Sequence, residues 1–267
     1  MNVNNNGYTF LFSSIMVIVV ALLLSVSATS LKPFQDRNIE LEKKQNLLKS
    51  IGIKVSREDA EKEYPNYIKE ELVVNSIGEI QSGLSAFNID LSKEIKKNIK
   101  EQNLPIYIAD VEGDTKYIVP LRGKGLWGPI WGFISLKDDL NVVNGAIFDH
   151  KAETPGLGAE INTEEFQSQF VDKMIFKDSE FASILVTKYK ATGDYEVDGI
   201  SGGTITSDGV QDMLFERLEK YLPYFNKNIK DLEVEEMMSL FVDTTNASID
   251  SLEIQQFIEK EKKLENE

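Results

Sequence analysis

The stretch Asp198-Gly-Ile-Ser-Gly-Gly-Thr-Ile-Thr206 sets three hydroxyl side chains, Ser201, Thr204 and Thr206, around the pair Gly202-Gly203, with Asp198 in front. Behind it Val210, Met213, Leu214, Leu218 and Leu222 recur on one helical face, with Thr206 or Ser207 as candidate N-cap. The turn therefore feeds a helix N-terminus. Free N–H groups and the positive end of the helix dipole favour an anion there, typically phosphate, and glycines admit a bulky ligand close to the backbone. The same residues also fit an ordinary Gly-Gly turn before a helix, because short glycine motifs arise by accident.

A second stretch, His150-Lys-Ala-Glu-Thr-Pro-Gly-Leu-Gly158, reads as a loop by its Pro155 and two glycines. Glu153 and Thr154 offer an acceptor and a hydroxyl, and Gly156, beside Leu157, keeps the backbone accessible. That combination suits the polar edge of a flat heteroaromatic ring. His150 is the only histidine. It fits a structural strand end better than a metal site, since no partner ligands accompany it. A third stretch, Arg122-Gly-Lys-Gly-Leu-Trp-Gly-Pro-Ile-Trp-Gly132, brings Trp127 and Trp131 among four glycines. Tryptophans so placed are more often packing residues than stacking platforms.

Composition limits the chemistry these stretches can serve. The 267 residues carry 29 Lys and Arg against 44 Asp and Glu, a net charge of −15 that repels the phosphate backbone of a nucleic acid. There are no cysteines, which excludes disulfides, thiolate metal sites and thiol catalysis. One histidine leaves no serine-histidine triad or multi-histidine zinc site within easy reach. Redox chemistry in such a chain has to ride on an organic cofactor. No metal site and no catalytic acid–base pair are expected.

The elements that position these stretches begin with an anchor. Residues 8–29 carry no charge, and about 22 residues at about 1.5 Å each reach roughly 33 Å, the thickness of a bilayer core. Residues 1–31 are expected to be a transmembrane anchor with 8–29 spanning. Val26-Ser27-Ala28 would pass as a signal-peptide cleavage site, but no Lys or Arg precedes the apolar run and the run is long for such a segment. Lys32, Arg37, Lys43 and Lys44 follow it, which alone favours a cytoplasmic C-terminal side. Residues 32–103 read as a helical stalk and the start of a soluble domain. From 104 to 225 short alternating runs (LPIYIADV, KYIVPL, IWGFISL, VVNGAIFDH) separated by Glu112-Gly113-Asp114 and Lys137-Asp138-Asp139 predict an antiparallel sheet. A helix over 163–176 with Phe166, Phe170, Val171 and Met174 on one face and a β-rich run over 183–189 follow. Strands and helices without a βαβ rhythm predict an α+β domain. Residues 226–267, with 11 acidic and 5 basic residues, suggest a tail of two amphipathic helices.

RGKGLWGPIWGF, HKAETPGLGAEI and DGISGGTITSDGV, in this order behind a single N-terminal anchor, resemble the NqrC family, a flavin-bearing component of the sodium-translocating NADH:quinone reductase. The layout matches over most of residues 1–225, and the specific motifs occupy about 40 positions. The resemblance implies an FMN-binding domain with an antiparallel sheet and flanking helices. It further implies FMN held covalently, by a phosphoester to the last Thr of an Asp-x-x-Ser-Gly-Ala-Thr motif that a dedicated flavin transferase modifies. Here Asp198-Gly-Ile-Ser201-Gly202-Gly203-Thr204 makes Thr204 the acceptor and Thr206 a decoy, with Gly203 where the family usually has Ala. Ser201, Gly202, Gly203 and Asp198, with Glu153, Thr154, Gly156 and Leu157, are the implied cofactor contacts. Lys188 or Lys190 would offset part of the phosphate charge. The resemblance also implies a single-pass protein of the bacterial inner membrane with a periplasmic domain, relaying electrons between redox centres of a complex whose other subunits handle NADH and quinone. The flavin-bearing component of the Rnf ferredoxin:NAD oxidoreductase shares the ETPGLG and flavinylation motifs. A membrane-tethered, non-redox module that holds a phosphate ligand reversibly is the alternative from a different class.

Overall fold

The computed structural model describes residues 6–178 and 180–229. Helix α1 (Asn6–Ser50) is followed by α2 (Ala60–Tyr67), strand β1 (Ile68–Val74) and the short helix α3 (Leu91–Glu94). Four strands come next: β2 (Leu104–Val111), β3 (Asp114–Lys124), β4 (Pro129–Leu136) and β5 (Val143–His150). Helix α4 (Glu164–Ser168) leads to four short strands, β6 (Phe176–Lys177), β7 (Glu180–Phe181), β8 (Leu185–Thr187) and β9 (Glu196–Asp198). Helix α5 (Thr204–Leu218) closes this part of the chain, and helical turns continue over 222–229. The expected helices beyond that lie in 230–267, outside the described residues.

Strands β1 to β5 form one antiparallel sheet in sequence order. The β2–β3 turn is Glu112-Gly113, both at positive φ (58° and 94°), the pattern of a tight two-residue hairpin. Asp139 organises the β4–β5 connection by accepting from the N–H groups of Asn141 and Val142. Alternation along each strand sends successive side chains to opposite faces, so Ile118 and Val119 enter different cores. On one face Ile106, Val119, Leu121, Ile130 and Phe148 meet Val210, Met213 and Leu214 of α5 and Phe166 and Phe170. On the other, Tyr107, Ile118 and Phe133 meet Leu47 and Leu48 of α1 and Tyr64 of α2. The fold is α+β, as expected.

The apolar first half of α1 is exposed throughout the described residues, and it is long and apolar enough to cross a membrane. A helix apolar on every side with no protein packed against it belongs in lipid. The stalk is the same helix continued: α1 passes Pro33 without ending and buries Leu47 and Leu48, each worth roughly 1.5–3 kcal/mol against the sheet. Its last carbonyl, of Ser50, accepts from Ser135 Oγ on β4. A Cβ on Gly145 of β5 would stand 2.4 Å from that oxygen, so glycine there lets the helix end touch the sheet.

Two elements differ from the sequence reading. The helix expected over 163–176 is only α4, capped by Thr163 Oγ1, after which Asp172 turns at φ 62°. The chain leaves the helix to pair Asp172 and Lys173 with Val143, covering the edge of β5, while Phe166 and Phe170 keep their expected burial. Strand β1, inside the expected stalk region, forms the opposite sheet edge.

Candidate functional site

Three loops meet at one end of the sheet. The β3–β4 tip is Gly125-Leu-Trp-Gly128, closed by the Gly125 N–H on the Gly128 carbonyl at 2.8 Å. The loop after β5 carries Glu153 to Gly158, and the β9–α5 turn carries Gly199 to Gly203. Helix α5 is pressed against the end of β3. A Cβ on Gly209 would lie 2.3 Å from the Lys124 carbonyl oxygen, and one on Gly123 would lie 2.6 Å from Met213 Cβ. Glycine on each side thus draws the helix start up to the tip.

The turn itself is closed by the Gly203 N–H on the Ile200 carbonyl at 2.9 Å, with Gly202 at φ 73°, the type II position that suits glycine. The helix is capped three residues earlier than Thr206, four earlier than Ser207. Its N-cap is Gly203, with Thr204 as the first helical residue. Ser207 is not a cap: its Oγ reaches back to accept the Ile200 N–H at 3.0 Å, and its own N–H donates to the Gly203 carbonyl. A glycine cap has no side chain to satisfy the first-turn amides, and no acidic residue lies in that turn. The N–H groups of Thr204, Ile205 and Thr206 have no acceptor within the helix, an arrangement that favours an anion.

The hydroxyls separate by burial. Thr206 is 1% exposed and donates to Glu153 Oε2 at 2.6 Å, and Ser207 is similarly enclosed. Thr204 is partly exposed and Ser201 exposed. Glu153, 5% exposed, also accepts the Trp127 N–H on Oε1 at 2.8 Å. Its own N–H donates to His150 Nδ1 at 3.2 Å, the structural part expected for that histidine. Gly125 and Gly158 are close against this carboxylate, since a Cβ on either would stand 2.6 Å from one of its oxygens.

The remaining candidates fall around this centre. Thr154 is exposed, and its carbonyl accepts from Leu157 and Ala159, shaping the loop. Gly156, at φ 77°, donates its N–H to Glu160 Oε1. Leu157 lies over the turn, its Cδ2 being 2.7 Å from where a Gly202 Cβ would be. Gly203 packs against Ile200 and the Gly158 N–H, 2.9 and 3.2 Å from its notional Cβ. Asp198 accepts the Ala191 N–H, and Gly199 donates to the Thr187 carbonyl at 2.7 Å. These bonds tie the exposed loop of Lys188 and Lys190 to the strand entering the turn.

Leu126 and Trp127 of the β3–β4 tip, Leu157 of the loop after β5 and Ile205 of the first turn of α5 are exposed apolar side chains. Sequence reading did not single out Leu126 or Ile205, whose only sign is an apolar residue beside a motif glycine or threonine. Trp131 lies elsewhere. With Arg122, Lys43, Phe87 and Phe133 it lines a cleft of about 880 Å³ between α1 and the sheet, on the face away from α5. No cluster of metal-ligating side chains exists among the described residues.

The FMN-binding domain family matches residues 125–219, which include all three loops. The NqrC component of the Na(+)-translocating NADH-quinone reductase of Vibrio parahaemolyticus is 30% identical over 217 residues, 73% of this chain and 83% of that protein. Its counterpart in Pasteurella multocida is 29% identical over 231 residues, covering 78% and 88%. The crystal structure of the corresponding protein from Parabacteroides distasonis superposes with a TM-score of 0.68 at 45% identity, covering 73% of this chain and 96% of that one.

Proposed function

Because the chain belongs to the NqrC family of the Na(+)-translocating NADH-quinone reductases, we propose that it is the membrane-anchored subunit that carries FMN esterified through its phosphate to Thr204 and relays electrons within that complex. The observation that carries the choice of residue is the sorting of hydroxyls at the start of α5. Thr206 is committed to Glu153 and Ser207 to Ile200, while Thr204 is accessible on the first turn beside amides that no side chain caps. A phosphodiester keeps one negative charge, and the helix N-terminus stabilises it. Lys188 and Lys190 add positive charge from the neighbouring loop, screened by solvent.

The residues fit the group in shape as well as charge. Gly202 and Gly203 keep the turn free of side chains of its own, and Leu126, Trp127, Leu157 and Ile205 offer apolar surface for a flat ring. When bound, FMN supplies the electron transfer, and this chain supplies attachment, orientation and electrostatics. A threonine hydroxyl is a poor nucleophile unaided, so attachment would need a flavin transferase to take its proton and to move the whole FMN phosphoryl unit from a flavin phosphoanhydride, the second phosphate of that anhydride leaving with its substituent. Net, one water is lost between Thr204 and FMN.

Helix α1 anchors the domain in the bilayer, and the domain lies on the periplasmic side of the inner membrane, as the family layout supports against the basic residues at 32–44. Other subunits of the complex are its partners. The test is the intact mass of the full chain made with and without a flavin transferase, beside Thr204→Ala. An increment of FMN less water, lost in the variant, supports the proposal; the same increment in Thr204→Ala overturns the assignment. Protease added to spheroplasts should degrade the domain, and protection would reverse the sidedness.

A further inference from the structure

We infer that Glu153 is a positioning residue for modification at Thr204, acting through Thr206, a role that rests on the reading of Thr204 as acceptor. Among the described residues, the Glu153 carboxylate is the side chain that bonds to both of the other loops: Oε1 accepts from the Trp127 N–H at the β3–β4 tip, and Oε2 accepts from Thr206 Oγ1 in the first turn of α5. Thr206 is two residues from Thr204, so the bond fixes the height and rotation of the turn that presents the acceptor hydroxyl. Charge-assisted bonds of this kind are roughly twice as strong as neutral ones. The enclosure is tight. A Cβ on Gly158 would lie 2.4 Å from Thr206 Oγ1 and 2.6 Å from Glu153 Oε2, so glycine there lets the loop close on the pair.

The geometry gives the two threonines of Thr204-Ile-Thr206 different jobs. One hydroxyl is spent on Glu153 and cannot be modified without breaking a buried bond; the other is partly exposed on the same turn. Glu153 touches neither Thr204 nor any reacting atom. Its effect is on the frequency with which the first turn stands in the geometry a transferase can use, and small misplacements of a reacting group slow such steps steeply.

The test uses the full chain co-produced with a flavin transferase, comparing wild type, Thr206→Val, Thr206→Ser, Glu153→Gln and Thr204→Ala. Labelling at Thr204 is read as the modified fraction of the tryptic peptide 191–217 against time, divided by the amount of folded chain from parallel cultures without transferase. Thr206→Val should be labelled roughly tenfold more slowly per folded chain. Thr206→Ser, which keeps the hydroxyl, should label within about twofold of wild type. A wild-type rate in Thr206→Val overturns the inference, and so does a loss that Thr206→Ser fails to restore. If Thr206→Val does not accumulate, Glu153→Gln decides by the same normalised rate, slowed if the inference holds and unchanged if it fails. Label persisting in Thr204→Ala would instead overturn the choice of acceptor.

Discussion

Replacing Gly209 by Ala should destabilise the domain although it installs a better helix former. The new Cβ would stand 2.3 Å from the Lys124 carbonyl oxygen, 3.3 Å from its carbon and 3.6 Å from Gly125 Cα. Ordinary contact requires about 3.4 Å or more, so helix and strand must part by roughly an ångström. Strand β3 is held to β4 as far as the Lys124–Pro129 pair, which leaves α5 as the element that yields. Overpacking of this kind costs about 1–3 kcal/mol, whereas Gly to Ala in a helix interior contributes about 1 kcal/mol the other way. Because the carbonyl is backbone and the new Cβ cannot rotate aside, the clash costs the upper part of that range, about 2–3 kcal/mol, and the net loss is about 1–2 kcal/mol. At roughly 2–4 °C per kcal/mol for a domain of this size, the melting temperature should fall by about 2–8 °C. The assay is thermal unfolding of the detergent-solubilised chain by circular dichroism, with Asp208→Ala, at the exposed neighbouring position, as a control expected within about 0.5 kcal/mol of wild type. A Gly209→Ala protein melting at or above wild type would mean that helix propensity prevails and that the close approach of α5 to β3 is wrong.

Three further outcomes follow from the same structure. Gly203→Ala should reduce labelling at Thr204 because its Cβ meets Ile200 Cγ2 at 2.9 Å, and adding Ile200→Ala should recover it; independent effects in the double variant would refute the contact. Burial pushes Lys43 down to about 8, against the opposing pull of Glu71 and Asp90. An unfolded lysine titrates near 10.4, so between about pH 8 and 10 the unfolded chain binds more protons and stability rises with pH. In urea unfolding at fixed ionic strength, wild type should therefore gain on Lys43→Met across that window, and a flat difference would refute the burial. Leu23→Arg, in the exposed apolar half of α1, should disfavour insertion by about 3 kcal/mol and shift the chain to the alkaline-carbonate supernatant; continued retention in the pellet would count against α1 as the span.

Local chemistry made much of this protein legible. Period-two alternation and turn residues located β2 to β5, because a strand's faces and a two-residue turn are written in adjacent residues. The uncharged run at 8–29 announced a membrane helix by length alone. Strand β1 escaped because its sequence, Ile-Lys-Glu-Glu-Leu-Val-Val, puts three charged residues in succession, and it is a strand through its pairing with β2. Helix α4 stops short of its apolar pattern because the open edge of β5 takes the chain that follows.

The residue types of the turn suggested a phosphate seat, and the family resemblance that the three motifs carry pointed to Thr204. What they could not distinguish was the function of each polar group within the motifs. Thr206 was a decoy by position only; its hydroxyl is withdrawn by a carboxylate 53 residues earlier, and Glu153, which read as an edge for a ring, turns inward to bind the loops together. Hydrogen bonds across such separations leave no periodicity in the chain. They exist because two glycines let α5 approach β3, bringing the start of a helix within reach of a loop from another part of the sheet. Composition and local spacing determined the chemistry on offer; tertiary packing decided which hydroxyls of the first turn of α5 are enclosed and which stays accessible.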